Sequence, residues 1–244
     1  MTAPGCLDPA NCPVPDPQDM DLRRLRLIRI PEGASLHTSY NRSHWPALFN
    51  ASDRGNARFS PLLIGGTVVP TIYGAATQTV ALLETSFHDV HEAGTRVISE
   101  SLHLAPRGVV ALTAPESLPL IDLTDEGLDR IGLSRASMVA TTPEHYACTR
   151  EWAVKLHGRR IGPIVPVGLV WQSRIAELAR SDSLLLGDLL GQASEVCLLF
   201  GDRVPLDHVA WQPGDPHFDD LSRGDGRLLA EQIAEQLDAV IVPS

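Results

Sequence analysis

The chain has 244 residues, 43% of them hydrophobic, with 30 acidic against 20 basic side chains and a formal net charge of −10. That length supports one well-buried core, whereas two would leave thin halves, and the negative charge repels both a phosphate backbone and an anionic bilayer, so nucleic-acid and membrane-surface binding are not expected. Neither an apolar span of about 20 residues nor a basic stretch followed by an apolar one occurs, which makes the cytoplasm the expected compartment.

Residues 1–21 carry Pro4, Pro9, Pro13, Pro15 and Pro17 among small and acidic residues. Such a composition buries little apolar surface, so a mobile leader is expected, followed by one domain over 22–244. Cys6 and Cys12 lie in this leader. As a pair they lack the second ligand pair that a zinc site needs, and they read as incidental. Cys148 and Cys197 sit in apolar segments, where a thiol behaves as a small hydrophobe.

Strands are predicted first in "LRRLRLIRI" (22–30), where Leu25, Leu27, Ile28 and Ile30 are interleaved with arginines. Further strands are predicted in "TVVPTIYGAA", "GVVALTA", "LPLIDL", "IVPVGLVW" and "EVCLLF", each short, rich in Val, Ile or Leu, and bounded by Gly, Pro or Asp. Helices are predicted over 77–91, 142–158 and 227–240. The second begins at Thr141, Thr142 and Pro143, and Thr141 with Glu144 fits a capping box. Trp152 and Leu156, four apart on it, read as core. The third places Leu229, Ile233, Leu237 and Val240 on one stripe. Helices mixed among strands without regular βαβ alternation indicate an α+β fold.

One acid stands out in the first helical segment. Val80, Leu83, Phe87 and Val90 form an apolar arc, and Glu84 projects about 40° from Val80, at the border of the buried face. A carboxylate there loses hydration unless donors or a cation meet it. Spacing alone leaves a structural ion pair and a functional acid both open. Glu84, His88 and His91 also fall within about 60° of arc, which raises a metal-dependent hydrolase as an alternative. The order differs from the zinc-protease pattern, and His91 lies where the helix frays before Gly94.

The blocks "FN…ARFSPL", "PTIYGAATQTVALLETSFHDV", "YACTREWAVKLHG", "GLVWQSR" and "LFGDRV" occur in an order that resembles RES-domain proteins, over about residues 31–205. The resemblance implies an ADP-ribosyltransferase-like fold with a mixed sheet. It implies a toxin that consumes NAD⁺ by phosphorolysis, hydrolysis or transfer of ADP-ribose to a protein, requires no metal, pairs as a homodimer and is silenced by a helix-turn-helix antitoxin of the Xre type. It assigns the name-giving Arg, Glu and Ser to Arg58, Glu84 and Ser173, with Arg58 on the pyrophosphate, Tyr73 stacking on nicotinamide or the sugar, and Ser173 bonding ligand or Glu84. Many relatives carry an arginine where this chain has Thr38 in "SLHTSY"; Arg42 or Arg29 is the expected substitute, unless the site has decayed into a non-catalytic binding module.

Overall fold

Along residues 195–200, Val196, Leu198 and Phe200 are buried in one core cluster, and Cys197 and Leu199 in another. An uninterrupted apolar run of this kind needs a strand covered on both faces. The computed structural model describes residues 3–18, 20–90, 96–177, 193–206 and 209–243. In chain order its strands are β1 (Leu27–Ile30), β2 (Ser35–Asn41), β3 (Leu62–Ile64), β4 (Thr67–Val69), β5 (Thr71–Ala75), β6 (Val97–Ser99), β7 (Arg107–Thr113), β8 (Leu118–Asp122), β9 (Gly168–Gln172), β10 (Glu195–Phe200), β11 (Pro213–Phe218) and β12 (Val240–Val242). The helices are α1 (Gln78–Leu83), α2 (Asp125–Arg130), α3 (Arg135–Met138), α4 (Tyr146–His157) and α5 (Gly224–Gln236).

Eight strands form one mixed sheet in the order β1-β8-β9-β10-β5-β2-β7-β11. Only β8 and β9 run parallel within it. This is the expected α+β class. Side chains alternate along each central strand: Leu169 and Trp171 join Trp152, Leu156, Leu83, Leu229 and Ile233 on one face. Val170 joins Ile72, Leu112, Leu120 and Trp211 on the other. Gly168 permits the close approach of β9 to β10, since a Cβ there would stand 2.1 Å from the Leu198 carbonyl oxygen. Among the described residues no helix is long and apolar enough to cross a membrane.

Several boundaries differ from the sequence reading, each for a local reason. The helix expected over 77–91 is α1, six residues long, capped by Thr77, whose side chain accepts from Val80 N. Past Leu83 the Thr85 hydroxyl donates to Ala81 O at 2.7 Å, and Phe87 N reaches back to Leu82 O, so the helix closes before a separate 3₁₀ turn at His88–Val90. Phe87 and Val90 are buried all the same. In the second helix the residue at the cap is Thr142, ahead of a 3₁₀ turn at Pro143–His145, and the Thr141–Glu144 box does not form, because Thr141 accepts from Arg58 instead. The third helix ends at Gln236; Val240 leaves the stripe and pairs with Val97 between β12 and β6. Leu22–Arg24 form a 3₁₀ turn capped by Asp21, so the first strand begins at Leu27. Strands β2 and β11 were not anticipated. The alternation in β2 is carried by Leu36 and Thr38, only one of them apolar, and β11 contains Pro213 and Pro216, which an edge strand tolerates.

The leader differs most from expectation: it is seated, not free. Leu7 N donates to Glu144 O at 3.0 Å, Trp152 Nε1 donates to Pro15 O at 2.8 Å, and Val14 is buried in the same core as Leu22 and Leu25. Prolines restrict the unfolded chain as well, which lowers the entropy lost when this stretch is ordered. It lies along the start of α4, with Cys6 and Cys12 beside His145 and Cys148.

Candidate active site

The strand-to-helix connection β5–Thr77–α1 builds one wall of the site. Tyr73 stands near the middle of β5, flanked by β10 and β2, and Glu84 occupies the C-terminal cap of α1. Glu84 thus sits where the helix closes, partly buried, and not in mid-helix. Its Oε1 accepts a 2.5 Å hydrogen bond from the Ser173 hydroxyl. Ser173 follows β9 directly, has no exposure, and its Oγ also accepts from Ala176 N at 3.0 Å, capping the helical residues 174–177. One hydroxyl therefore ends a strand, starts a helix and fixes the carboxylate.

Arg58 comes from the segment between β2 and β3. Its Nη1 donates to the carbonyl and hydroxyl of Thr141 at 2.9 and 2.6 Å, and its Nη2 to the Tyr146 hydroxyl at 3.3 Å. The guanidinium carbon lies 4.8 Å from the centre of the Tyr146 ring, and Thr149 Oγ1 donates to the Arg58 carbonyl. These contacts use three of the five guanidinium N–H groups. Burial pushes Arg58 below the usual arginine range, against the attraction of Tyr146, Glu84 and Tyr73; an arginine keeps its charge at neutral pH even so. Tyr73 OH accepts from Phe59 N and Ser60 Oγ, both at 3.4 Å, and its ring meets Trp171 edge-on. Burial raises the Tyr73 phenol, which keeps it neutral.

A cavity of about 1020 Å³ brings Arg58, Tyr73 and Glu84 to one lining. Its size falls at the upper end of the roughly 300–1,000 Å³ of ligand pockets. Ser173 does not line it; of the two contacts expected for that hydroxyl, the structure has the one to Glu84. Thr38 is buried on β2 and lines the cavity, and neither expected substitute does. Arg42 is engaged by Asp220 at 2.8 Å and by Ala105 O, and Arg29 pairs with Pro119 on the edge strand β1. A cation that sequence reasoning missed, Arg107 at the start of β7, does line it. So does Tyr146, whose signal was its place on the same helical face as Thr149, three residues on. Of the alternative metal set, Glu84 and His88 line the cavity, and His91 lies outside the described residues.

Comparison with known proteins gives a family-model match to the RES domain over residues 26–207. Among solved structures, a chain of the M. tuberculosis MbcT–MbcA toxin–antitoxin complex is similar, at 15% identity over 87% of this chain and 93% of that one, with a TM-score of 0.53. At that identity the likeness concerns the fold. No curated protein sequence matches.

Proposed function

The chain belongs to the RES-domain family, and from that premise we propose that it is a toxin that breaks the nicotinamide–ribose bond of NAD⁺. The observation that carries this reading is one large cavity lined by a partly buried carboxylate, a held guanidinium and an aromatic ring. In NAD⁺ the nicotinamide ring is cationic, so when its bond to the ribose breaks, the electron pair stays on the ring nitrogen and the ring leaves neutral. Positive charge passes to the sugar, giving an oxocarbenium-like transition state that needs no general acid. Glu84, steadied by Ser173 through one oxygen, is the group to stabilise that charge and hold a ribose hydroxyl with the other. Partial exclusion of water strengthens the effect.

Arg58, with two N–H groups beyond its Thr141 and Tyr146 bonds, suits a pyrophosphate. Tyr73, neutral and aromatic, suits the face of nicotinamide or of the cationic sugar. Phosphate, water or a protein side chain then attacks the sugar carbon and completes the transfer. An ADP-ribosyltransferase-like ancestry, a cytoplasmic setting, pairing with a second copy and silencing by a helix-turn-helix antitoxin of the Xre type belong to the same proposal. The similarity to a chain from a toxin–antitoxin complex supports the antitoxin.

The test is nicotinamide release from NAD⁺ by antitoxin-free protein, with and without phosphate, beside Glu84→Gln. Release by the wild type and its loss in the variant are expected. Equal, background-level release by both proteins sinks the proposal.

A further inference from the structure

Two of the chain's four cysteines, Cys6 and Cys12, converge on His145, and a third, Cys148, touches this cluster through Cys12, whereas the fourth, Cys197, lies on β10. Cys6 and Cys12 arrive from the leader; His145 and Cys148, three residues apart, arrive on one face at the start of α4. Cys6 Sγ stands 3.7 Å from His145 Nδ1, and Cys12 Sγ stands 3.6 Å from Cys148 Sγ. The ligand atoms of Cys6, Cys12 and His145 all lie within 4.8 Å of one another. A tetrahedral zinc with Zn–S of about 2.3 Å and Zn–N of about 2.0–2.1 Å sets its ligand atoms roughly 3.5–3.8 Å apart, so two of the four contacts between leader and helix, Cys6–His145 and Cys12–Cys148, already have the edge length of that tetrahedron, while Cys148, outside the mutually close set, moves inward to complete it. A disulfide needs its sulfurs at about 2.05 Å. The two halves are separated by more than a hundred residues, which is why the leader pair shows no partners in the sequence.

We propose that Cys6, Cys12, His145 and Cys148 form a structural zinc site of the Cys3His type that fastens the leader to the start of α4. Four protein ligands close the coordination shell and leave no open position for substrate or activated water, so the role is structural. Thiolate ligands select zinc over hard cations such as magnesium or calcium. The ion supplies what the leader's composition lacks, a strong tertiary link for a stretch with little apolar surface to bury. It also steadies the cavity indirectly. His145 and Cys148 bracket Tyr146, and Thr149 follows, so the bound metal fixes the turn whose Tyr146 and Thr149 hold Arg58. Binding converts thiols to thiolates and releases protons to solvent, with no oxidation of metal or sulfur.

The site can be tested apart from catalysis. Untagged full-length protein, dialysed against metal-free buffer, is assayed for metals by plasma mass spectrometry, beside Cys6→Ser/Cys12→Ser and Cys197→Ala. The proposal expects about one zinc per chain in the wild type and Cys197→Ala, and a drop of at least about tenfold in the double variant, whose changes spare the central sheet. Replacement by cobalt is expected to give an intense thiolate-to-cobalt absorption in the wild type that the double variant lacks. Absence of zinc with freely reactive thiols, a mapped Cys12–Cys148 disulfide, stoichiometric iron or copper in place of zinc, or zinc retained by the double variant each overturns the site.

Discussion

Replacing Ser173 by alanine separates the two tasks of one hydroxyl. The variant loses the 2.5 Å bond to Glu84 Oε1 and the 3.0 Å acceptor for Ala176 N. The cap accounts for about 1 kcal/mol of stability, which for a chain of this length lowers the melting temperature by roughly 2–4 °C. The bond to the carboxylate is of the charged kind, about 1.5–3 kcal/mol. If that energy serves to aim Glu84 at the developing sugar cation, its loss slows turnover by about 10- to 150-fold. Measuring kcat for nicotinamide release beside a thermal melt, well below the melting temperature, keeps the two effects apart. Glu84→Gln supplies the reference: adding Ser173→Ala to it should cost little further activity, because the serine acts through the acid. A Ser173→Ala protein that melts lower but turns over NAD⁺ at the wild-type rate would show the serine to be a helix cap alone, and the positioning role falls.

Three further outcomes are expected. Arg107→Ala should raise KM for NAD⁺ about tenfold while kcat stays within about threefold, as loss of a phosphate-facing cation that acts equally in ground and transition states; an unchanged KM removes Arg107 from the anion site. Gly168→Ala, which sets a Cβ 2.1 Å from Leu198 O, should destabilise the fold by on the order of 3 kcal/mol and lower the melting temperature by roughly 6–12 °C; a wild-type melt refutes the tight β9–β10 approach. Burial holds both His37 and His157 below the usual imidazole range, with Arg203 adding to the effect at His157 and Asp202 opposing it. The unfolded chain therefore takes up protons first, so stability from these residues is complete above about pH 6.5 and lost as pH falls through the lower folded values. Melts between about pH 8 and about pH 5 should show that loss, shallower in His37→Gln; a melting temperature that rises on acidification contradicts it.

Short-range patterning carried much of the fold into the sequence. Continuous apolar runs such as "EVCLLF" can be satisfied only by strands covered on both faces; β8 and β10 lie within the stretches so marked, and β7 and β9 overrun theirs by one residue each. The arc of Val80, Leu83, Phe87 and Val90 is buried although the helix beneath it breaks, since burial follows the apolar side chains whether the backbone winds as α or 3₁₀. The odd placement of Glu84 was also visible, because a carboxylate beside four buried hydrophobes conflicts with its surroundings at the level of spacing alone.

What spacing could not supply is who meets whom across long separations. Arg58 finds Thr141 and Tyr146, Ser173 finds Glu84, and the two leader cysteines find His145 and Cys148, each pairing across more than eighty residues. Such contacts are fixed by the order of strands in the sheet and by the packing of α4 against it, and neither leaves a periodic trace in the chain. Composition marked the leader as free because it counts apolar surface; the tertiary structure seated it because carbonyls, an indole N–H and converging sulfurs supply contacts that composition does not record.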